Sequence, residues 1–233
     1  MKTAFQDLDN PIWRALSGPQ RALGAVGSLA GVFDPDIAPF AGLGETSPAA
    51  FDELASLAGP GRTVAFTTPD RMALPRGWRT LQIEALEQFV CLDVATPLAG
   101  DDAVATLGPA DVSAMLALAE ETKPGPFSSG TIRLGRYIGV RTSEDGGLAA
   151  MAGQRLCHET AVEISAVCTA ASYRGRGLAG RLVQILAADA LEQGRSPFLH
   201  VRTANTSAIR LYETLGFQHR RTMNLMIGQA PGG

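Results

Sequence analysis

Residues 173–182 read YRGRGLAGRL, and the fold depends on how this stretch is read. Gly175, Gly177 and Gly180 spell G-x-G-x-x-G, the fingerprint of dinucleotide-binding α/β domains. A glycine turn feeding a helix exposes unpaired amides beside the positive end of the helix dipole, which suits any pyrophosphate. The dinucleotide reading also requires an acidic residue about 20 positions on and several further strand-helix units. At that place stand Phe198, Leu199, His200, Val201 and Arg202, with no acid, and fewer than 60 residues follow Gly175. Arg202, as a partner for a 2′-phosphate, is the only support for NAD(P).

The flanking sequence gives the stretch a different setting. Upstream, ETAVEISAVCT (159–169) alternates Val162, Ile164, Ala166 and Cys168 with Glu163, Ser165, Val167 and Thr169, the pattern of a strand. Downstream, LAGRLVQILAADALEQG (178–194) is an amphipathic helix ending in glycine. A strand PFLHVRT, a helix NTSAIRLYETLG and one or two strands in FQHRRTMNLMIG follow. Before the motif, GPADVSAMLALAEET (108–122) predicts a helix with an early-turn proline. LGRYIGVRT and LAAMAGQRL flank the turn SEDGG as a hairpin. The predicted order is β-α-β-β-β-α-β-α-β.

The first hundred residues carry seven basic and eleven acidic side chains, the remainder thirteen and twelve. TPLAGDD marks a boundary near 97–102, separating an N-terminal α/β domain (1–100) from a second domain (101–233). In the first, AFDELASLAG (50–59) has helical spacing and RTVAFTT (62–68) reads as a strand. The 233-residue chain has a formal charge of −3 and no continuous basic stripe, which argues against nucleic-acid or membrane partners. Six arginines between Arg174 and Arg210 still favour an anionic ligand. Cys91, Cys157 and Cys168 are odd in number and widely spaced, so neither a disulfide framework nor a zinc site is expected. No signal peptide or membrane span is read, and a cytoplasmic protein with no metal is expected.

Arg174, Gly177 and Ala179 also form R-x-x-G-x-A, and about 30 residues on Asn205, Ala208 and Tyr212 form N-x-x-A-x-x-x-Y. On VCTAASYRGRGLAGRL and NTSAIRLYETLGF, residues 107–227 resemble the GNAT superfamily of N-acetyltransferases. The resemblance implies an α+β fold with a mixed, mostly antiparallel central sheet flanked by helices. It leaves the first hundred residues as a possible degenerate copy of the same fold, without an R-x-x-G-x-A loop. It also implies acetyl-CoA as cosubstrate. Arg174, Gly175, Arg176, Gly177, Leu178, Ala179 and Gly180 would hold the pyrophosphate. Val167, Cys168 and Thr169 would meet the pantetheine arm through their backbone, and Asn205, Ala208 and Tyr212 would flank the thioester.

Acetyl transfer to an amine requires a base, a donor for the developing oxyanion and a proton for the leaving thiolate. Glu163 is the candidate base, directly or through water. Strand geometry places it on one face with Ser165 and Val167, roughly 13 Å from Val167, and partly apolar surroundings predict a raised pKa. The competing reading is a glutamate paired with an arginine across the sheet. The Val167 amide is the expected oxyanion donor. Tyr212 matches the general acid, against the alternative of a packed core tyrosine. Cys168 reads as core, and His200 as packed or lining the acceptor side. Phe127 and Tyr137 are either pocket or core residues. The acceptor is a small-molecule or peptide amine, the net charge of the first half hinting at a cationic one, and the chain is expected to be a monomer or homodimer. The rival function is a non-catalytic acyl-CoA sensor.

Overall fold

The structure, a computed structural model, describes residues 5–94, 103–142 and 146–232. In the first part of the chain lie α1 (Pro11–Leu16), β1 (Gly24–Val26), β2 (Ala30–Phe33), β3 (Ala41–Leu43), α2 (Pro48–Ala58), β4 (Thr63–Thr68) and β5 (Arg79–Val90). These are followed by β6 (Val104–Leu107), α3 (Val112–Thr122), β7 (Tyr137–Arg141), β8 (Leu148–Cys157), β9 (Ala161–Thr169), α4 (Leu178–Glu192), β10 (Ser196–Arg202), α5 (Thr206–Thr214) and β11 (Gln218–Gln229). From β6 onward the observed order is the one read from the sequence. The last segment forms one strand rather than two. The hairpin of β7 and β8 is present, while its turn at 143–145 lies outside the described residues.

Local chemistry accounts for the helix ends. The Ser47 side chain accepts a hydrogen bond from the Ala50 amide at 3.2 Å, with Pro48 in the first turn of α2 and Gly59 ending it at φ 86°. Asn205 caps α5 in the same way, accepting from the Ala208 amide at 3.2 Å.

β1, β2 and β3 form a small sheet, and the other eight strands form one large sheet in the order β4-β11-β5-β10-β9-β8-β7-β6. Every neighbouring pair in the large sheet is antiparallel except β9–β10. This mixed, mostly antiparallel sheet bears out the expected fold class. The expected boundary near 97–102 lies outside the described residues. Strands from both sides of it share the sheet, because β5 is inserted between β10 and β11.

α4 and α5 cover one face. Leu178, Leu182, Val183 and Leu186 pack there on Ile138, Ile164, Leu199 and Val201. The other face is covered in two places. Leu8, Ile12, Phe33 and Phe40 sit over Val90, Leu156 and Phe198, and Met115 and Leu118 of α3 sit over Met151, Ala166 and Cys168. Each fully buried large apolar side chain contributes about 1.5–3 kcal/mol relative to exposure.

Candidate active site

β9 and β10 are in register over only three pairs, Ala161–Ser196, Val162–Pro197 and Glu163–Phe198. Beyond these pairs they part. β10 continues from Phe198 to Arg202 against β5 alone, which leaves the facing edges of β9 and β10 without a strand partner. Buried backbone groups need partners, so the gap suits an extended chain that carries amides.

Ala166 has φ 52°, in the left-handed region a non-glycine residue seldom occupies. Across it the β8 register advances two residues while β9 advances three, from Gly153–Ser165 to Met151–Cys168. This is a β-bulge, and Val167 has no register partner on either neighbouring strand. The bulge reverses the alternation read from the sequence. Ile164 and Val167 pack toward α4, whereas Ala166 and Cys168 face α3. Glu163 lies on the face opposite Val167, which corrects the expectation that 163, 165 and 167 share a face.

The glycine loop closes one end of the gap. Gly175 and Gly177 have φ of 79° and 75°, and a Cβ at either would meet nothing within 4 Å. Their backbone angles, not crowding, call for glycine. Gly180 has an ordinary helical φ, and an added Cβ would come 3.3 Å from Leu211 Cδ1, so it serves the packing of α4 on α5. The fifteen-residue α4 has Gly177 as its N-cap, which supplies no side-chain cap, leaving the first amides of the helix available to an anion. Arg176 stacks over the Tyr173 ring at 4.7 Å, and Arg174 donates from Nε to the Thr169 carbonyl at 3.4 Å.

A cleft of about 870 Å³ runs from this loop through the gap to the opposite face. Val167, Cys168, Thr169, residues 174–180, Asn205, Ala208 and Tyr212 all line it. At its far end stand Phe40, Arg155, His200 and Leu225. Burial pushes the Tyr212 phenol up to about 12, so it is protonated at neutral pH. The Cys168 thiol is pushed up to about 11 by burial and is packed in the core.

Glu163 is fully buried and does not line the cleft. Its Oε2 accepts from Arg155 Nε at 2.8 Å and its Oε1 from Arg155 Nη2 at 2.6 Å. Oε1 is also 2.7 Å from His200 Nδ1. Arg220 donates to Gln88 Oε1 at 2.6 Å, so Gln88 Nε2 is left to donate to the Leu8 carbonyl and to His200 Nε2, at 2.8 and 3.0 Å. His200 Nε2 is therefore the acceptor, and Nδ1 carries the hydrogen that bonds Glu163. Burial alone would raise the Glu163 pKa, but Arg155 and His200 outweigh it and hold the group down at about 2. The expectation of a raised pKa is corrected, and the cross-sheet arginine weighed as its alternative is Arg155.

Comparison with known proteins adds the ancestry. The family profile described as FR47-like protein matches residues 137–226. A Novosphingobium aromaticivorans protein assigned to the GNAT family of acetyltransferases is 41% identical, with 96% of this chain and 98% of that one covered and a TM-score of 0.84. The chain belongs to the GNAT family of acetyltransferases. A GCN5-related N-acetyltransferase from Kribbella flavida shares the fold at 17% identity, 95% coverage of each chain and a TM-score of 0.64. A GCN5-related N-acetyltransferase-like protein from Streptococcus suis does so at 15% identity, covering 96% and 94%, with a TM-score of 0.53. No curated protein matches the chain.

Within this GNAT fold, Tyr137 is a core residue and the half-buried Phe127 packs against that core, their rings 5.9 Å apart edge to face, and neither lines the cleft. The sequence reading missed Arg155 and Phe40. A second register shift, between Gln154 and Cys157, puts Arg155 in a bulge of β8, where it stacks over Phe40 at 4.9 Å. No local pattern marks either residue. Among the described residues no group of three or more His, Cys, Asp or Glu could hold a metal, and no helix is long and apolar enough to cross a membrane.

Proposed function

We propose that the protein is an N-acetyltransferase that uses acetyl-CoA and passes the acetyl group to a primary amine by direct attack in a ternary complex. The observation that carries this reading is the gap between β9 and β10, continuous with the glycine loop at the start of α4. The pantetheine arm pairs with the edge of β9 beside Val167 and Thr169, and the pyrophosphate sits on the amides of residues 176–180 with Arg174 and Arg176 nearby.

The amine nitrogen attacks the thioester carbonyl carbon and the oxyanion forms. The Val167 amide, without a strand partner in the bulge, donates to it. The carbon–sulfur bond then breaks, and the Tyr212 hydroxyl donates to the departing sulfur. The amine proton leaves through water in the cleft. Glu163, hidden behind Arg155 and His200 and ionised far below neutral pH, acts by holding those two side chains in place.

Free-thiol release from acetyl-CoA across a panel of primary amines tests the reading. Amine-dependent release, with the acetylated amine identified by mass spectrometry, is expected. Tight CoA binding with no release from any amine would instead favour the acyl-CoA sensor.

A further inference from the structure

The acceptor end of the cleft has a charge pattern that selects among amines. Among the described residues lining the cleft there is no aspartate or glutamate; Arg174 and Arg176 belong to its pyrophosphate end, and Arg155 stands at the far end. A polyamine or other polycation would enter a channel with nothing to neutralise its additional charges. The hint of a cationic acceptor in the net charge of residues 1–100 does not extend to the cleft surface.

Arg155 gives this end a specific donor. Its Nε and Nη2 are occupied by Glu163, while Nη1 has no partner among the described residues. The side chain is 15% exposed, and the residue lines the cleft. The guanidinium is held by the Glu163 pair on one edge and by the Phe40 ring against its plane. A fixed guanidinium with a free amino edge is matched to a carboxylate, which gains a charge-assisted hydrogen bond without reordering the site. Glu163 lies behind Arg155, farther from such a ligand than Nη1, so attraction to the near cation prevails over repulsion from the far anion. The adjoining walls are mainly apolar, formed by Phe40, Ala65, Leu86, Leu225 and Ile227, with the hydroxyls of Thr63 and Thr67 on either side of Ala65.

From this arrangement we infer that the acceptor is a free amino acid with an apolar side chain, its carboxylate held by Arg155 Nη1 and its amine directed through the gap toward Val167. This rests on the acetyltransferase reading above. It adds to that reading the class of amine and a specificity-determining residue.

The test compares matched acceptors with the unaltered enzyme by thiol release: leucine, leucinamide and 3-methylbutylamine, then phenylalanine and 2-phenylethylamine, with spermidine as the polycation. Loss of a hydrogen bond to a charged group corresponds to about a 10- to 100-fold fall in kcat/KM. The free amino acids are expected to exceed their decarboxylated and amidated counterparts by that factor, mainly through KM. In R155K, with folding checked by its melting temperature, the preference should collapse toward unity, the amino-acid arm falling by about 10- to 100-fold more than the arm lacking a carboxylate. If R155K does not fold, the acceptor comparison decides by itself. Equal or better turnover of the amides, the decarboxylated amines or spermidine overturns the amino-acid inference and leaves acetyl transfer standing. Release with no amine of any class removes acetyl transfer, and this inference with it.

Discussion

Glu163→Gln separates a buried structural carboxylate from a titrating base. The wild-type group is fully buried, accepts two hydrogen bonds from Arg155 and one from His200, and has its pKa lowered from 4.5 to about 2. A difference of that size corresponds to about 3 kcal/mol of stability. Because the folded pKa is the lower one, this contribution is complete above about pH 5, where the carboxylate is ionised in both states. It is lost as pH falls toward 2, since the unfolded chain takes up the proton first. Glutamine keeps the shape but leaves the Arg155 guanidinium buried without its counter-charge, which costs about 3–5 kcal/mol. Urea unfolding of both proteins across pH should therefore show E163Q less stable by that amount at pH 7. The gap should narrow by about 2 kcal/mol between pH 6 and pH 3, with any acid loss common to both proteins cancelling in the difference. Equal stability at pH 7, or a gap unchanged down to pH 3, would refute the reasoning.

Other substitutions probe the cosubstrate end. Tyr212→Phe should lower turnover by about 100-fold with little change in CoA affinity, measured by steady-state kinetics and calorimetric titration. Unchanged turnover would remove the hydroxyl from the departing-sulfur role. Gly177→Ala should cost about 1–2 kcal/mol in denaturant unfolding, because alanine resists the positive φ, and should weaken CoA binding by moving the loop amides. Gly180→Ala retains its amide and gains helix propensity worth about 1 kcal/mol. Its new methyl meets the side-chain ends of Leu211 at 3.3 Å and Leu215 at 3.7 Å, so near-neutral stability and unchanged CoA affinity are expected.

Much of this was legible in the sequence because it is local. The glycine loop, the amphipathic period of α4, the Asn205 cap and the succession of elements from β6 to β11 are each set by residues close together in the chain. The parts that were not legible depend on distant pairing. β5 reaches its place between β10 and β11 through register with residues well over a hundred positions away, and no composition or spacing marks a strand for that insertion. The β9 bulge falls on Ala166, which has no glycine to signal a positive φ, so strict alternation put Glu163 and Val167 on one face. The lowered Glu163 pKa depends on a second, separate irregularity. Burial could be expected from a central strand, but the opposing Arg155 is delivered by a bulge on the neighbouring strand. The arginine had a place in the reading as an alternative, though its position did not.

The central claim, that the gap and the glycine loop hold a CoA ester rather than a dinucleotide, is tested most directly by the melting temperature in the presence of each ligand. A ligand at 100 times its Kd that binds only the folded protein adds about 2.7 kcal/mol, which for a chain of this length raises Tm by about 5–10 °C. Acetyl-CoA is expected to give that rise and NADH at the same concentration none. A rise with NADH and none with acetyl-CoA would contradict the account.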